Sequence, residues 1–257
     1  MYCLKTFGGT MNEEQKYLFD LHGYVVIPGV LSAQQLRECN HELDRLEQTD
    51  PANYPEPLCL GQERTKENLY ISNILEASPV FHTLIDPPSV IDVIAEVTGG
   101  PYRLNHTYTI YRWAGGFTGL HMHGTPVIPK CQYRCHNGQM ISTLTKVVFP
   151  MIDCEEEDGC FAVIPGAHKS NFPKPWDNHP ENNPALVPVP ARAGDAIIFT
   201  EALTHGSTVS RSGRPRRTLY YCYSVGHMPD WGGQGLNFSK RIYENLDEDK
   251  RKVLMLK

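Results

Sequence analysis

The sequence predicts a mainly-β fold (a sandwich, jelly roll or barrel) with helices packed on its outside. Three observations carry this. Short β-rich runs fill the chain beyond Pro101, at residues 104–113, 119–123, 141–151, 159–164, 195–200 and 218–225. Turn signals punctuate them: Gly115-Gly116, Asn137-Gly138, Asp158-Gly159, Pro165-Gly166, Gly194-Asp195 and Ser212-Gly213. Helical periodicity is confined to the front of the chain and to its charged tail from Lys240.

The elements follow in order. Residues 12–22 read as a helix with Tyr17, Leu18 and Leu21 as its apolar stripe. Gly23 to Pro28 reads as a short strand, and Ser32 caps a helix to about Leu46 that buries Leu36, Cys39 and Leu43. Residues 51–68 form a loop, and a helical segment is expected around residues 71–84. Pro88-Ser89 starts another helix, stopped by Gly99-Gly100. The Pro/Asn-rich stretch at residues 172–190 is a long loop and a candidate lid.

At 257 residues the chain fits one domain, taken as 1–257, with no internal repeat. A net charge of -5 and the lack of a dense basic patch speak against nucleic acid. No stretch approaches the ~20 apolar residues that span a bilayer, and Met1 to Thr10 lacks the apolar region of a secretory signal. The eight cysteines are scattered, which reads as reduced thiols in a cytoplasmic protein. Cys131, Cys135 and His136 resemble half a zinc site, but no second half lies nearby.

The chemistry concentrates in two stretches. In Leu120-His121-Met122-His123-Gly124, strand alternation would put both imidazoles on one face. Glu201-Ala202-Leu203-Thr204-His205 would, if extended, place Glu201 and His205 on one side. Imidazoles from distant segments with a carboxylate nearby are the ingredients of a non-haem metal site. Arg216 and Arg217 alternate along one strand, so only one points inward, where a guanidinium fork suits a carboxylate. His168 and Lys169 follow the Pro165-Gly166 turn, either as an anion contact or as an exposed charged turn.

Longer motifs resemble the phytanoyl-CoA dioxygenase family of iron(II)/2-oxoglutarate oxygenases. Gly23-Tyr24-Val25-Val26-Ile27-Pro28-Gly29-Val30-Leu31 resembles its entry strand, and Asp158 to Lys169, with Gly159-Cys160 and Pro165-Gly166-Ala167-His168-Lys169, resembles its central signature. Ala193-Gly194-Asp195 to Phe199, followed by His205-Gly206-Ser207, resembles the segment that delivers its distal iron ligand. The resemblance implies a double-stranded β-helix (a jelly-roll, cupin-like barrel), Fe(II), 2-oxoglutarate as cosubstrate, and O2. Its H-x-D…H ligand pattern maps onto His121 and His205, but the Asp position is His123. The arginine that pairs with the outer carboxylate of 2-oxoglutarate falls on Arg216, and a hydroxyl sharing that carboxylate falls on Ser207.

The expected metal ligands are therefore His121, His123 and His205. Glu201 is either the missing carboxylate or a residue that orients a ligand imidazole. The expected activity is hydroxylation of a small-molecule substrate, with release of succinate and CO2. A halogenase would need a small residue at the Asp position, which His123 is not. Two other readings stay open: a three-histidine dioxygenase that does not use 2-oxoglutarate, and a non-catalytic binding barrel. Neither substrate identity nor oligomeric state is encoded legibly.

Overall fold

The computed structural model describes residues 11–122, 128, 130–228 and 238–254. Helix α1 (Glu13–His22) starts at a capping box between Asn12 and Gln15 and ends where Gly23 turns left-handed at φ 85. Its buried residue is Phe19, whereas Tyr17 and Leu21 lie on the solvent side, 67% and 45% exposed. The expected stripe is thus displaced: the helix touches the sheet along a narrow line that Phe19 fills. Helix α2 (Ala33–Gln48) has a second capping box, between Ser32 and Gln35, and buries Cys39, Leu43 and Leu46. Helix α3 (Pro88–Thr98) has proline at its first turn and a left-handed Gly99 at its end. Short helices α4 (Lys240–Asn245) and α5 (Glu248–Val253) close the described chain.

Among the described residues twelve strands build the rest: β1 (Tyr24–Ile27), β2 (Cys59–Leu60), β3 (Asn68–Ser72), β4 (Tyr102–Arg112), β5 (Tyr133–His136), β6 (Gln139–Ser142), β7 (Leu144–Pro150), β8 (Phe161–Val163), β9 (Val187–Val189), β10 (Ala196–Thr200), β11 (His205–Ser207) and β12 (Arg216–Val225). A seven-stranded antiparallel sheet runs β1-β10-β7-β12-β4-β3-β2, a three-stranded sheet runs β11-β8-β9, and β5-β6 is a separate hairpin.

Several expectations change here. The helix expected around residues 71–84 is instead the end of β3 followed by two 3-10 turns, Ile74–Glu76 and Pro79–Leu84. Pairing of Ile71 with Thr109 of β4 overrides local helical periodicity. The run at 141–151 is two strands with a break at Thr143, whose hydroxyl accepts from the Gln132 backbone. The loop at 172–190 ends in β9. Among the described residues 119–122 there is no strand, and an isolated bridge joins His121 to His205.

The large sheet has two faces with different jobs. Its outer face (Leu69, Ile71, Tyr111, Val147, Phe149, Ile198, Leu219 and Tyr221) packs with the α2 and α3 residues into one apolar core. Tyr221 and Tyr223 there donate from their hydroxyls to the Phe81 and Ile85 carbonyls, which satisfies otherwise costly buried groups. Its inner face packs Val148, Ile197, Phe199 and Tyr220 against Phe161, Val163 and Val189 of the small sheet. Phe161 and Phe199 meet across this gap at 4.7 Å between ring centroids. The fold is a jelly-roll arrangement of two facing sheets; a closed hydrogen-bonded barrel is not formed among the described residues. No described helix is long and apolar enough to cross a membrane.

Candidate metal centre and anion pocket

His121 and His205 are held together by their own backbones. The His121 N–H donates to the His205 carbonyl at 3.0 Å, and the His205 N–H returns the bond at 3.1 Å. Such a mutual pair puts both side chains on one face, and the ring centroids lie 4.2 Å apart. Each Nδ1 lies 2.8 Å from a backbone carbonyl, that of Gly119 for His121 and of Leu203 for His205. A carbonyl only accepts, so each Nδ1 carries the proton and each Nε2 carries a lone pair. Histidines that bind metals are oriented this way. Burial first, then the neighbouring His121 imidazole and the Lys146 ammonium, hold His205 well below the usual histidine range.

Glu201 joins them. The segment between β10 and β11 is a tight turn rather than the extended stretch expected, closed by Leu203 N–H on the Thr200 carbonyl at 3.0 Å. The turn nevertheless brings the Glu201 carboxylate to His205: Oε2 lies 3.8 Å from His205 Nε2. Donor atoms of His121, Glu201 and His205 all fall within 4.8 Å of one another. Glu201 is 2% exposed, and Oε2 has no hydrogen-bond partner. Two lone-pair-bearing atoms therefore face each other in a buried place, an arrangement that a cation resolves. The donor set, two imidazoles and a carboxylate, is the one that holds non-haem iron(II).

His123 lies outside the described residues. Its assignment rested on its place in the H-x-D slot and on strand alternation from His121; next to it Met122 has φ 61, in the left-handed region that few non-glycine residues adopt, so regular alternation does not continue through Met122. Backbone strain of this kind gathers at functional sites.

Arg216, on β12, is 1% exposed and faces inward with Tyr220, whose hydroxyl accepts from Nη2 at 3.0 Å. Its Nε and Nη1 are buried without a partner. Arg217 points the other way, pairs with Glu47 of α2 at 2.8 Å, and stacks its guanidinium on the Tyr111 ring. Directly across from Arg216, on β4, stands Arg112, which the sequence did not single out. It is 6% exposed, donates from Nη2 to the Thr118 hydroxyl at 2.8 Å, and leaves Nε unpartnered. Burial, then the neighbouring Arg216 charge, pushes Arg112 down to about 10. Among the described residues neither guanidinium has a carboxylate partner. Two adjacent buried cations with three vacant N–H donors fit the carboxylate of an organic diacid. Ser207 sits beside this pocket, fully buried. Its hydroxyl accepts from the Thr118 N–H at 2.8 Å and donates to the Thr208 carbonyl at 3.0 Å.

Lys146 is the other residue that the sequence reading missed. It lies on β7, 6% exposed, with Nζ 2.9 Å from Glu201 Oε1. Burial opposes its charge, but the Glu201 carboxylate outweighs this and raises it above the usual lysine range. A lone lysine inside the apolar run Leu144–Pro150 was the available signal. Nearby His106 is driven down to about 3 by burial and then by Lys146. His168 and Lys169 do not reach this site: His168 Nε2 donates to the Asp20 carbonyl and Lys169 pairs with the Asp20 carboxylate, which staples the turn to α1. Cys131, Cys135 and His136 form no metal-binding group among the described residues.

The family model of phytanoyl-CoA dioxygenase (PhyH) matches residues 19–218, a stretch that includes both histidines, Glu201 and Arg216. The chain belongs to the phytanoyl-CoA dioxygenase family. It is an iron- and 2-oxoglutarate-dependent oxygenase. Dioxygenase af480 of Aspergillus fumigatus is 26% identical over 253 residues, covering 96% of this chain and 77% of that protein. The ectoine dioxygenase of Nocardia farcinica is 19% identical over 242 residues, covering 85% of this chain and 80% of that protein. Among solved structures, HygX of Streptomyces hygroscopicus with nickel, 2-oxoglutarate and hygromycin B bound superposes with TM-score 0.74 at 25% identity, over 86% of this chain and 90% of that one.

Proposed function

We propose that this member of the family hydroxylates a small-molecule substrate, with iron(II) held by His121, His205 and Glu201 and the outer carboxylate of 2-oxoglutarate held by Arg216. The observation that carries the reading is the pairing of two unmet demands in one compartment. Three lone-pair donors converge within 4.8 Å, and two buried guanidiniums lack an anion. Loss of the family aspartate at position 123 is then made good by a carboxylate from the distal segment. A barrel that used three histidines without 2-oxoglutarate, or that had lost catalysis, would leave Arg112 and Arg216 as uncompensated buried charges.

Iron with 2-oxoglutarate supplies the activation of O2 and the oxidative decarboxylation to succinate and CO2. The chain's own residues prepare the place. The Gly119 and Leu203 carbonyls fix both imidazole tautomers. Tyr220 takes one arm of Arg216, which leaves Nε and Nη1 as vacant donors for a carboxylate. Phe161, Phe199, Tyr108 and Met122 wall the compartment with apolar surface that excludes water. Free cysteines among the described residues support a reducing, cytoplasmic setting, and the continuous inner core supports one oxygenase domain.

The test is anaerobic iron(II) titration with and without 2-oxoglutarate. A weak visible charge-transfer band is expected only when both are present, and succinate release is expected on admitting O2. Iron binding without any response to 2-oxoglutarate would favour the three-histidine alternative.

A further inference from the structure

We propose that Lys146 is a positioning residue for the metal site: it binds Glu201 Oε1 and thereby leaves Oε2 aimed at the metal position beside His205. The inference rests on the reading of Glu201 as the third ligand.

Lys146 occupies the middle of β7, where its register partners are Phe199 on β10 and Cys222 on β12. Its side chain therefore points into the space between the sheets, toward the ring of Tyr108 at 5.7 Å. A lysine is seldom fully buried, and here one carboxylate matches it. The match is lopsided. Nζ lies 2.9 Å from Oε1, while Oε2 has no hydrogen bond and lies 3.8 Å from His205 Nε2. A pair that served only to neutralise charge would gain by satisfying both oxygens. Leaving one oxygen bare opposite a lone pair of His205 makes sense where a cation occupies the gap. Without Lys146 the carboxylate would be free to rotate and to present either or both oxygens. Lys146 thus anchors Oε1 and presents the other oxygen alone. Partners that orient metal ligands typically contribute 10–100-fold to metal affinity.

Cobalt(II) is the probe, followed by its visible absorption in the full chain without 2-oxoglutarate or O2. Lys146→Met is expected to raise the cobalt dissociation constant by about 10–100-fold and to change the absorption band. Glu201→Gln is expected to weaken cobalt at least as much. The double variant, which removes both charges of the buried pair, should bind like Glu201→Gln alone, because Lys146 acts through that carboxylate. Lys146→Gln repeats the comparison should Lys146→Met not fold. An unchanged dissociation constant in the lysine variants, or an effect that adds in full to that of Glu201→Gln, overturns the proposal. Should Glu201→Gln keep cobalt while His205→Ala loses it, the ligand reading itself fails, and that failure is visible before any lysine variant is made.

Discussion

His121 and His205 are each other's backbone partners, exchanging bonds of 3.0 and 3.1 Å. The two imidazoles thus owe their proximity to a single two-residue bridge between segments far apart in the chain. Whatever spreads that bridge would disassemble the proposed metal site.

Gly206 is where the bridge is most exposed to perturbation. A Cβ there would sit 2.5 Å from the Thr118 carbonyl, a backbone atom that cannot swing aside. Gly206→Ala is expected to destabilise the fold by about 1–3 kcal/mol, as overpacking does, and to weaken metal binding as His121 is pushed from His205. Urea unfolding and cobalt titration of the same variant measure both; an unchanged metal affinity would mean that the bridge does not set the ligand spacing.

His121→Ala and His205→Ala should each abolish stoichiometric iron(II) binding, because each removes one of few donors. The third position separates two assignments. With Glu201 as ligand, Glu201→Gln strips the metal and His123→Gly leaves it bound. The opposite pattern would return the third position to His123.

Arg216→Ala is expected to weaken 2-oxoglutarate by about 2–5 kcal/mol, as loss of one side of a buried charge pair does. Arg217→Ala should leave the affinity unchanged, since its partners are Glu47 and Asp44 of α2. Equal losses of 2-oxoglutarate in the two variants would refute the assignment.

Arg112→Met tests whether the second guanidinium belongs to the same pocket. A weaker grip on 2-oxoglutarate, with less discrimination against a 2-oxo monoacid of similar length, is the expected result. A mere scaffold role through Thr118 would weaken both acids alike.

The metal-free protein should lose stability in acid. Burial, first among the causes, holds His106 at about 3 and His168 at about 4. Both stay neutral in the fold while their unfolded counterparts take up protons below about 6.5. The unfolded state then binds more protons, so stability falls as pH drops from about 6.5 toward 4, by up to about 1.4 kcal/mol per pH unit for each histidine. Denaturant midpoints at pH 7 and pH 5 check the sign; equal midpoints would contradict it.

The sequence by itself determined the elements whose signals are local. The capping boxes at Asn12 and Ser32 start α1 and α2, and Gly23 and Gly99 end α1 and α3. Most of the strands and the order of the signature motifs were legible too, so the family could be read directly and His121 and His205 were singled out as candidate ligands. Tertiary structure decided what depends on contacts between distant segments. Strand β3 replaced a helix because β4 lay beside Ile71 to pair with it. Glu201 reached His205 through a turn that local pattern did not reveal, and Met122 departed from regular strand alternation after His121. Sequence could mark Lys146 only as a lone lysine in an apolar run and did not mark Arg112, because a charge acquires meaning only from the partners that folding supplies or withholds. Burial gave Lys146 one carboxylate and left Arg112 beside Arg216 with none.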